Sequence, residues 1–243
     1  MRVYGLIGYP LSHSFSQKYF TEKFEKEGIK DCSYQNFPIS KIGEIEIIID
    51  QHPELAGLNV TIPYKEKVIP FLDEFSDEVS EIVACNCIKI EDNRLVGFNT
   101  DVPGFEKSFI RKLQPFHKEA IVLGTGGASK AIQFVLAKLK IPFIVVSRKP
   151  ASDELSYEDI DDNIISTHQV IINTTPLGMQ PNIHQYPSIP YLSITSQHYL
   201  FDLTYNPAKT VFLQKGEEMG ATIVNGYEML VNQAEGSWQI WNR

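Results

Sequence analysis

Short apolar runs alternate with stretches of helical spacing along the whole chain, and they fall into two series. In the first, residues 3–8, 33–37, 57–60 and 87–90 read as strands, each a brief apolar or β-branched run bounded by turn-forming residues. After the first strand comes a polar loop, Ser12-His-Ser-Phe-Ser16, then a helix whose Phe20 and Phe24 share a face and whose end is marked by Gly28. Residues 41–50 and 64–72 carry helical spacing between later strands. Pro103-Gly104 opens a helical run to Leu113, and Gln114-Pro115 breaks it, which places a crossover between domains there. A second series begins at Ala120-Ile-Val-Leu123, an apolar run suited to a buried parallel strand. Gly124-Thr-Gly-Gly-Ala128 follows, then a helix with Ala131, Ile132, Val135, Leu136 and Leu139 on one face, then a strand at 142–146. Further strands at 170–173, 199–203 and 222–224, a helix at 208–219, and a closing helix with Leu230, Ala234, Trp238 and Trp241 at helical spacing complete the pattern. The fold class is therefore α/β, an α/β domain followed by a Rossmann-like, doubly wound one.

Composition changes the picture mainly by exclusion. With 243 residues and 43% hydrophobic content the chain can bury two modest cores. A net charge of -8 offers no general attraction to nucleic acid or anionic lipid, so a small molecule is the expected partner. The N-terminus is too short and glycine-broken for a signal peptide, and no run approaches the roughly 18 apolar residues of a membrane span, which favours a cytoplasmic location. The 3 cysteines, Cys32, Cys85 and Cys87, match neither a disulfide framework nor a zinc pattern, and the 6 histidines show no paired helical spacing. No metal is expected. Monomer and homodimer both remain open.

Gly124, Gly126 and Gly127 sit where a strand hands over to a helix, so their backbone N–H groups can meet a pyrophosphate without a side chain in the way, with Ala128 opening the helix. The spacing departs from G-x-G-x-x-G, because Ser129 stands at the third glycine. An NAD site usually places an acid after the second strand to hold the ribose 2′-hydroxyl, but here the strand ends in Ser147-Arg148-Lys149. Two cations there favour a 2′-phosphate, hence NADP(H), with a forked contact from Arg148 and a point charge from Lys149; a solvated basic turn is the alternative. Upstream stand Lys65 and Asp101, an acid/base pair beside a dinucleotide loop, which suggests hydride chemistry on a carbonyl or alcohol. Read alone, the same pair would be a surface salt bridge.

Taken in order, Ser14-Phe-Ser16, Asn59-Val-Thr-Ile-Pro-Tyr-Lys65, Asn86, Asn99-Thr-Asp101, Gly124-Thr-Gly-Gly-Ala128, Ser147-Arg-Lys149, Asn173-Thr-Thr-Pro-Leu-Gly-Met179, Asp202-Leu-Thr-Tyr-Asn-Pro207 and Gly226-Tyr-Glu-Met-Leu-Val-Asn-Gln233 resemble the shikimate dehydrogenase family over nearly the whole chain. The resemblance implies NADPH-dependent, reversible reduction of 3-dehydroshikimate to shikimate, a step toward chorismate and the aromatic amino acids. It implies that Lys65 and Asp101 are catalytic, and that Ser14, Ser16 and Tyr205 hold the substrate carboxylate while Thr61, Asn86, Asp101 and Gln233 hold ring hydroxyls. Asn173, Thr174, Gly226 and Met229 would border the nicotinamide. Ser16 is also a plausible helix N-cap, and Met229 plain helix core. By the same resemblance the final helix returns to the first domain, giving a substrate domain of 1–102 with 226–243, an NADP domain of 103–225, and reactants meeting in a cleft between them. Two departures stand out: Val83-Ala-Cys-Asn-Cys87 where most members have Gly-Ala-Val-Asn-Thr, and Ser147-Arg-Lys149 where many have Asn-Arg-Thr. An NAD-linked quinate/shikimate dehydrogenase and a non-catalytic NADP-binding sensor are the rival functions.

Overall fold

Each apolar run of the first series becomes a strand whose alternate side chains face two different cores. The computed structural model describes residues 1–11, 15–92 and 94–243. Contacts divide the chain into two units, residues 1–100 with 234–243 and residues 101–233.

The first unit contains, in chain order, β1 (Arg2–Gly8), α1 (Phe15–Glu27), β2 (Cys32–Pro38), α2 (Glu44–Gln51), β3 (Leu55–Val60), β4 (Glu74–Phe75), α3 (Asp77–Ile82), β5 (Cys87–Glu91) and β6 (Arg94–Phe98). Its sheet has the order β2-β1-β3-β5-β6-β4. β1 pairs in parallel with β2 and β3, while β5 runs antiparallel to both β3 and β6. Period-two alternation sends Val3 and Ile7 of β1 into a core with Ile45 and Ile48 of α2, and Tyr4 and Leu6 into a second core with Phe20 and Phe24 of α1. Aromatic rings fill the second core: Tyr4 stacks on Trp241 with centroids 4.7 Å apart, and Phe20 stacks on Tyr34 at 4.6 Å. The Trp241 indole donates to the Ile88 carbonyl at 2.9 Å, fixing the end of the chain on the sheet.

Gly57 of β3 is dictated by that closure, because a methyl group there would collide with the Trp241 indole. We expect Gly57→Ala to destabilise the protein by about 1–3 kcal/mol through overpacking, read as a lower urea midpoint; an unchanged midpoint would show that Trp241 moves aside freely.

The second unit contains α4 (Asp101–Phe109), β7 (Ala120–Leu123), α5 (Gly127–Lys138), β8 (Phe143–Val146), α6 (Asp162–Thr167), β9 (Val170–Asn173), β10 (Tyr199–Asp202), α7 (Val211–Glu218) and β11 (Thr222–Val224). α8 (Tyr227–Trp241) begins in this unit, and its residues from 234 onward belong to the first. All five strands pair in parallel in the order β11-β10-β9-β7-β8. Burial on both faces explains the unbroken apolar runs of β7, β9 and β10. Ile121, Leu123, Ile171 and Leu200 join Ile165 and Phe212 in one core. On the other side Phe109 stacks on Tyr199 at 5.3 Å and Phe105 meets Phe201 edge-on at 5.1 Å.

Some expectations need correcting. Residues 64–72 form turns and a single 3₁₀ segment, Ile69–Phe71, rather than an α-helix. Pro70 inside that run has no N–H to donate and its ring would clash with the preceding turn. Ser16 is not an N-cap, because α1 already begins at Phe15. The helix expected to open at Pro103 opens at Asp101 and ends at Phe109, and the helix expected at 208–219 runs Val211–Glu218 behind a Thr210 cap.

Candidate active site

The topology gathers the first unit's polar residues on one edge of its sheet. Gly8 and Val60 end the parallel strands β1 and β3, so the chain toward Ser16 and the chain through Thr61 to Lys65 leave from the same edge. β5 runs the opposite way and therefore starts there, just after Asn86; β6, reversed again, ends there just before Asn99 and Thr100.

Hydrogen bonds tie these segments together. The buried Asn86 side chain accepts from Thr100 N at 2.6 Å and donates to Thr100 Oγ1 at 3.0 Å. Asn59 Nδ2 donates to the Asn86 carbonyl at 3.2 Å and to Ser237 Oγ at 2.8 Å, while its Oδ1 accepts from Tyr34 Oη at 2.9 Å. Burial raises the Tyr34 phenol well above its ordinary range, opposed by a hydrogen bond with the Ser16 side chain, so the hydroxyl stays a neutral donor. Lys65 is half-buried, and its carbonyl accepts from Cys85 N at 2.8 Å. Thr61 is half-buried, its N–H held by the Ile7 carbonyl at 3.0 Å. Ser14 lies outside the described residues.

In the second unit the parallel strands deliver their loops to one carboxyl edge. The strand order reverses between β7 and β9, the switch point where open α/β sheets bind ligands. Gly124 follows β7 with φ +109, a left-handed conformation that favours glycine, and a Cβ there would lie 2.7 Å from Thr174 Oγ1 beyond β9. Thr174 closes the switch point by donating to the Leu123 carbonyl through both Oγ1 (2.7 Å) and N (2.9 Å). Ser129, at the third-glycine position, is buried and donates to the Gly124 carbonyl at 2.6 Å, so its hydroxyl fastens the turn where a glycine would only have allowed it. Gly126 caps α5 with no side chain, and Gly127 and Ala128 lie in its first turn.

The remaining loops stand at the same edge. Ser147 follows β8, its N–H bound to the Leu155 carbonyl at 2.8 Å and its Oγ accepting from Lys149 N at 3.2 Å; Arg148 and Lys149 are exposed. Tyr205, half-buried, follows β10, and burial raises its phenol. Gly226 follows β11 so closely against the Leu203 carbonyl that no side chain fits. Asp101 begins α4, and Met229 and Gln233, all three buried, lie on α8, where the Met229 carbonyl and Gln233 Cβ would stand 3.0 and 3.1 Å from a Cβ on Gly104. Lys65 and Asp101 thus belong to different units.

Comparison with known proteins meets this geometry at both ends. A model described as the shikimate dehydrogenase substrate binding domain matches residues 6–88. A shikimate dehydrogenase (NADP(+)) of Carboxydothermus hydrogenoformans is 34% identical over 253 residues, covering 98% of this chain and 90% of that protein. The chain belongs to the shikimate dehydrogenase family. The crystal structure of shikimate dehydrogenase 1 from Peptoclostridium difficile is similar over 100% of this chain and 92% of that one, with 37% identity and a TM-score of 0.85. That of the Thermus thermophilus shikimate 5-dehydrogenase, in complex with NADP(H) and shikimate, matches with 26% identity, 99% and 93% coverage and a TM-score of 0.88.

The residues present fit the dinucleotide that the shikimate dehydrogenase family implies. A Cβ on Gly126 would meet nothing within 4 Å, so space lies open at the N-terminus of a 12-residue helix whose first N–H groups attract an anion. Among the described residues no cluster of His, Cys, Asp or Glu could hold a metal ion, and no helix is long and apolar enough to cross a membrane.

Residues outside the expected set join these networks. Thr100 and Ser237 hold Asn86 and Asn59, and Ser237 lies four positions after Gln233, on the same helical face. That spacing was a usable signal. Asp202 lies within a resembling motif, yet it shows its part only once β9 and β10 are paired.

Proposed function

We propose that this chain is an NADP-dependent shikimate dehydrogenase that reversibly reduces 3-dehydroshikimate to shikimate. One observation carries the reading: in a chain of this family, the segments bearing Thr61, Lys65, Asn86 and Thr100 leave one edge of the first sheet, bound to one another. That edge is rich in short polar side chains, which suits a small polyhydroxylated ring.

When bound, NADPH supplies a hydride to the ketone carbon. Lys65 Nζ stands as the proton donor to the ketone oxygen, its ammonium stabilising the negative charge that develops there. The Asp101 carboxylate accepts from a neighbouring ring hydroxyl. Thr61, Asn86 and Gln233 take further hydroxyls, and Ser14, Ser16 and Tyr205 present hydroxyl donors to the substrate carboxylate. Gly124, Gly126, Gly127 and Ala128 bring backbone N–H groups to the pyrophosphate. Ser147, Arg148 and Lys149 take the 2′-phosphate, and Asn173, Thr174, Gly226 and Met229 border the nicotinamide. Residues 1–102 with 226–243 would act as the substrate domain and 103–225 as the cofactor domain. A cytoplasmic setting belongs to the same proposal, supported by the burial of Cys32, Cys85 and Cys87 outside any disulfide.

The deciding measurement is oxidation of NADPH on addition of 3-dehydroshikimate, repeated with NADH and, in reverse, with quinate. The expected result is turnover with a kcat/KM for NADPH above that for NADH. Efficient NAD-linked quinate oxidation with little NADPH-linked reduction would replace this reading with the quinate enzyme. Cofactor binding without turnover would replace it with a sensor.

A further inference from the structure

Asp202 closes β10 as a carboxylate with no exposed surface, opposite the equally buried Asn173 that closes β9. Its Oδ1 accepts from Asn173 Nδ2 at 3.1 Å and from Thr204 N at 2.9 Å, and its Oδ2 accepts from Thr210 Oγ1 at 2.5 Å. An ionised carboxylate only accepts, so it holds the Asn173 amide with its NH₂ inward and its oxygen outward, the Leu177 carbonyl accepting from the same NH₂ at a longer 3.4 Å. That oxygen then accepts from Thr175 N at 3.1 Å and Thr175 Oγ1 at 2.7 Å, and Thr175 Oγ1 accepts from Leu177 N at 3.3 Å. The turn so fixed lies against the glycine loop, since a Cβ on Gly124 would stand 2.7 Å from Thr174 Oγ1 and 3.1 Å from Thr175 Cγ2.

We propose that Asp202 is a positioning residue for the cofactor site, setting the turn after β9 through the chain Asp202–Asn173–Thr175. This rests on the reading that the glycine loop and that turn receive NADPH. Mere stability would be served at less cost by an apolar pair, because an unneutralised carboxyl is expensive to bury. Burial pushes this carboxyl up to about 6, the hydrogen bonds from Thr210, Thr204 and Asn173 opposing the rise. Such an expense fits a group retained for the orientation it imposes.

The test is the dissociation constant of NADPH, read by nicotinamide fluorescence so that no turnover is required, with kcat and KM measured alongside on folded protein. Asp202→Ala should raise Kd about tenfold, the loss of roughly one hydrogen bond to a charged group. Asp202→Asn, which keeps an acceptor oxygen toward Asn173, should stay within about threefold. Thr175→Val should raise Kd severalfold, and its combination with Asp202→Ala should be no worse than Asp202→Ala alone, because both cut the same chain. A folded Asp202→Ala with the wild-type Kd, or losses that multiply independently, would overturn the proposal. Should Asp202→Ala fail to fold, Thr175→Val decides: a raised Kd supports the chain, an unchanged one overturns it. A wild type that binds NADPH without reducing 3-dehydroshikimate would strike the activity and leave this proposal standing.

Discussion

Replacing Lys65 by alanine should lower kcat by roughly a hundredfold or more while leaving KM for 3-dehydroshikimate within a few-fold, since a proton donor acts chiefly in the transition state. The fold around it gives a reason to expect a chemical effect and not a structural one. The Lys65 carbonyl receives the Cys85 N–H at 2.8 Å, a backbone bond that alanine keeps. Beside it Tyr64 is buried, with Oη donating to the Ile39 carbonyl at 2.7 Å and its own carbonyl accepting from Val68 N at 2.9 Å. The segment is thus pinned by its main chain and its tyrosine, so Lys65→Ala should still fold. Steady-state kinetics on the folded variant settle the matter: unchanged turnover would remove Lys65 from the proton path, whatever the activity of the wild type.

How much of this was legible in the sequence depends on what each element needs in order to form. Strands β7, β9 and β10 were legible because burial on two faces leaves continuous apolar runs, and the bounds of β9 and β11 match the reading residue for residue. β6 was not, for its run Arg94-Leu-Val-Gly-Phe98 is broken by Gly97, and that glycine is a packing requirement. A methyl group at Gly97 would press on the Leu72 side chain and lie 3.2 Å from Cys85 Sγ, a neighbourhood that only tertiary structure creates. α3 was missed because six residues with only Val79 and Ile82 buried carry too little periodicity.

The glycine loop and the basic turn could be found from local spacing, because strand, turn and helix follow one another in sequence. Asn59, Thr100 and Ser237, by contrast, meet across 178 and 137 positions of separation, in bonds that no local pattern announces. The same holds for Asp202 and Asn173, 29 positions apart, which become partners through strand register. Ser129 illustrates the converse. It departs from the glycine pattern, and its side chain supplies the turn with a hydrogen bond of its own.

Arg148→Ala should raise KM for NADPH by about tenfold or more and leave KM for NADH within about threefold, because only the 2′-phosphate distinguishes the two cofactors and a forked charge-assisted contact carries that difference. The turn that presents Arg148 does not depend on its side chain. Ser147 N bonds to the Leu155 carbonyl at 2.8 Å, Leu155 N to the Val145 carbonyl at 2.9 Å, and Lys149 N to Ser147 Oγ at 3.2 Å, so the backbone is closed on both sides of the arginine. Beyond the arginine, Glu154 Oε2 accepts from Ala151 N at 3.1 Å and closes the loop that follows. Arg148 is exposed, so its contribution should weaken as salt rises, and the NADPH/NADH ratio should fall with ionic strength in the wild type more steeply than in the variant. Equal losses for both cofactors would assign Arg148 to the adenine or to the turn and leave the 2′-phosphate to Lys149 or Ser147.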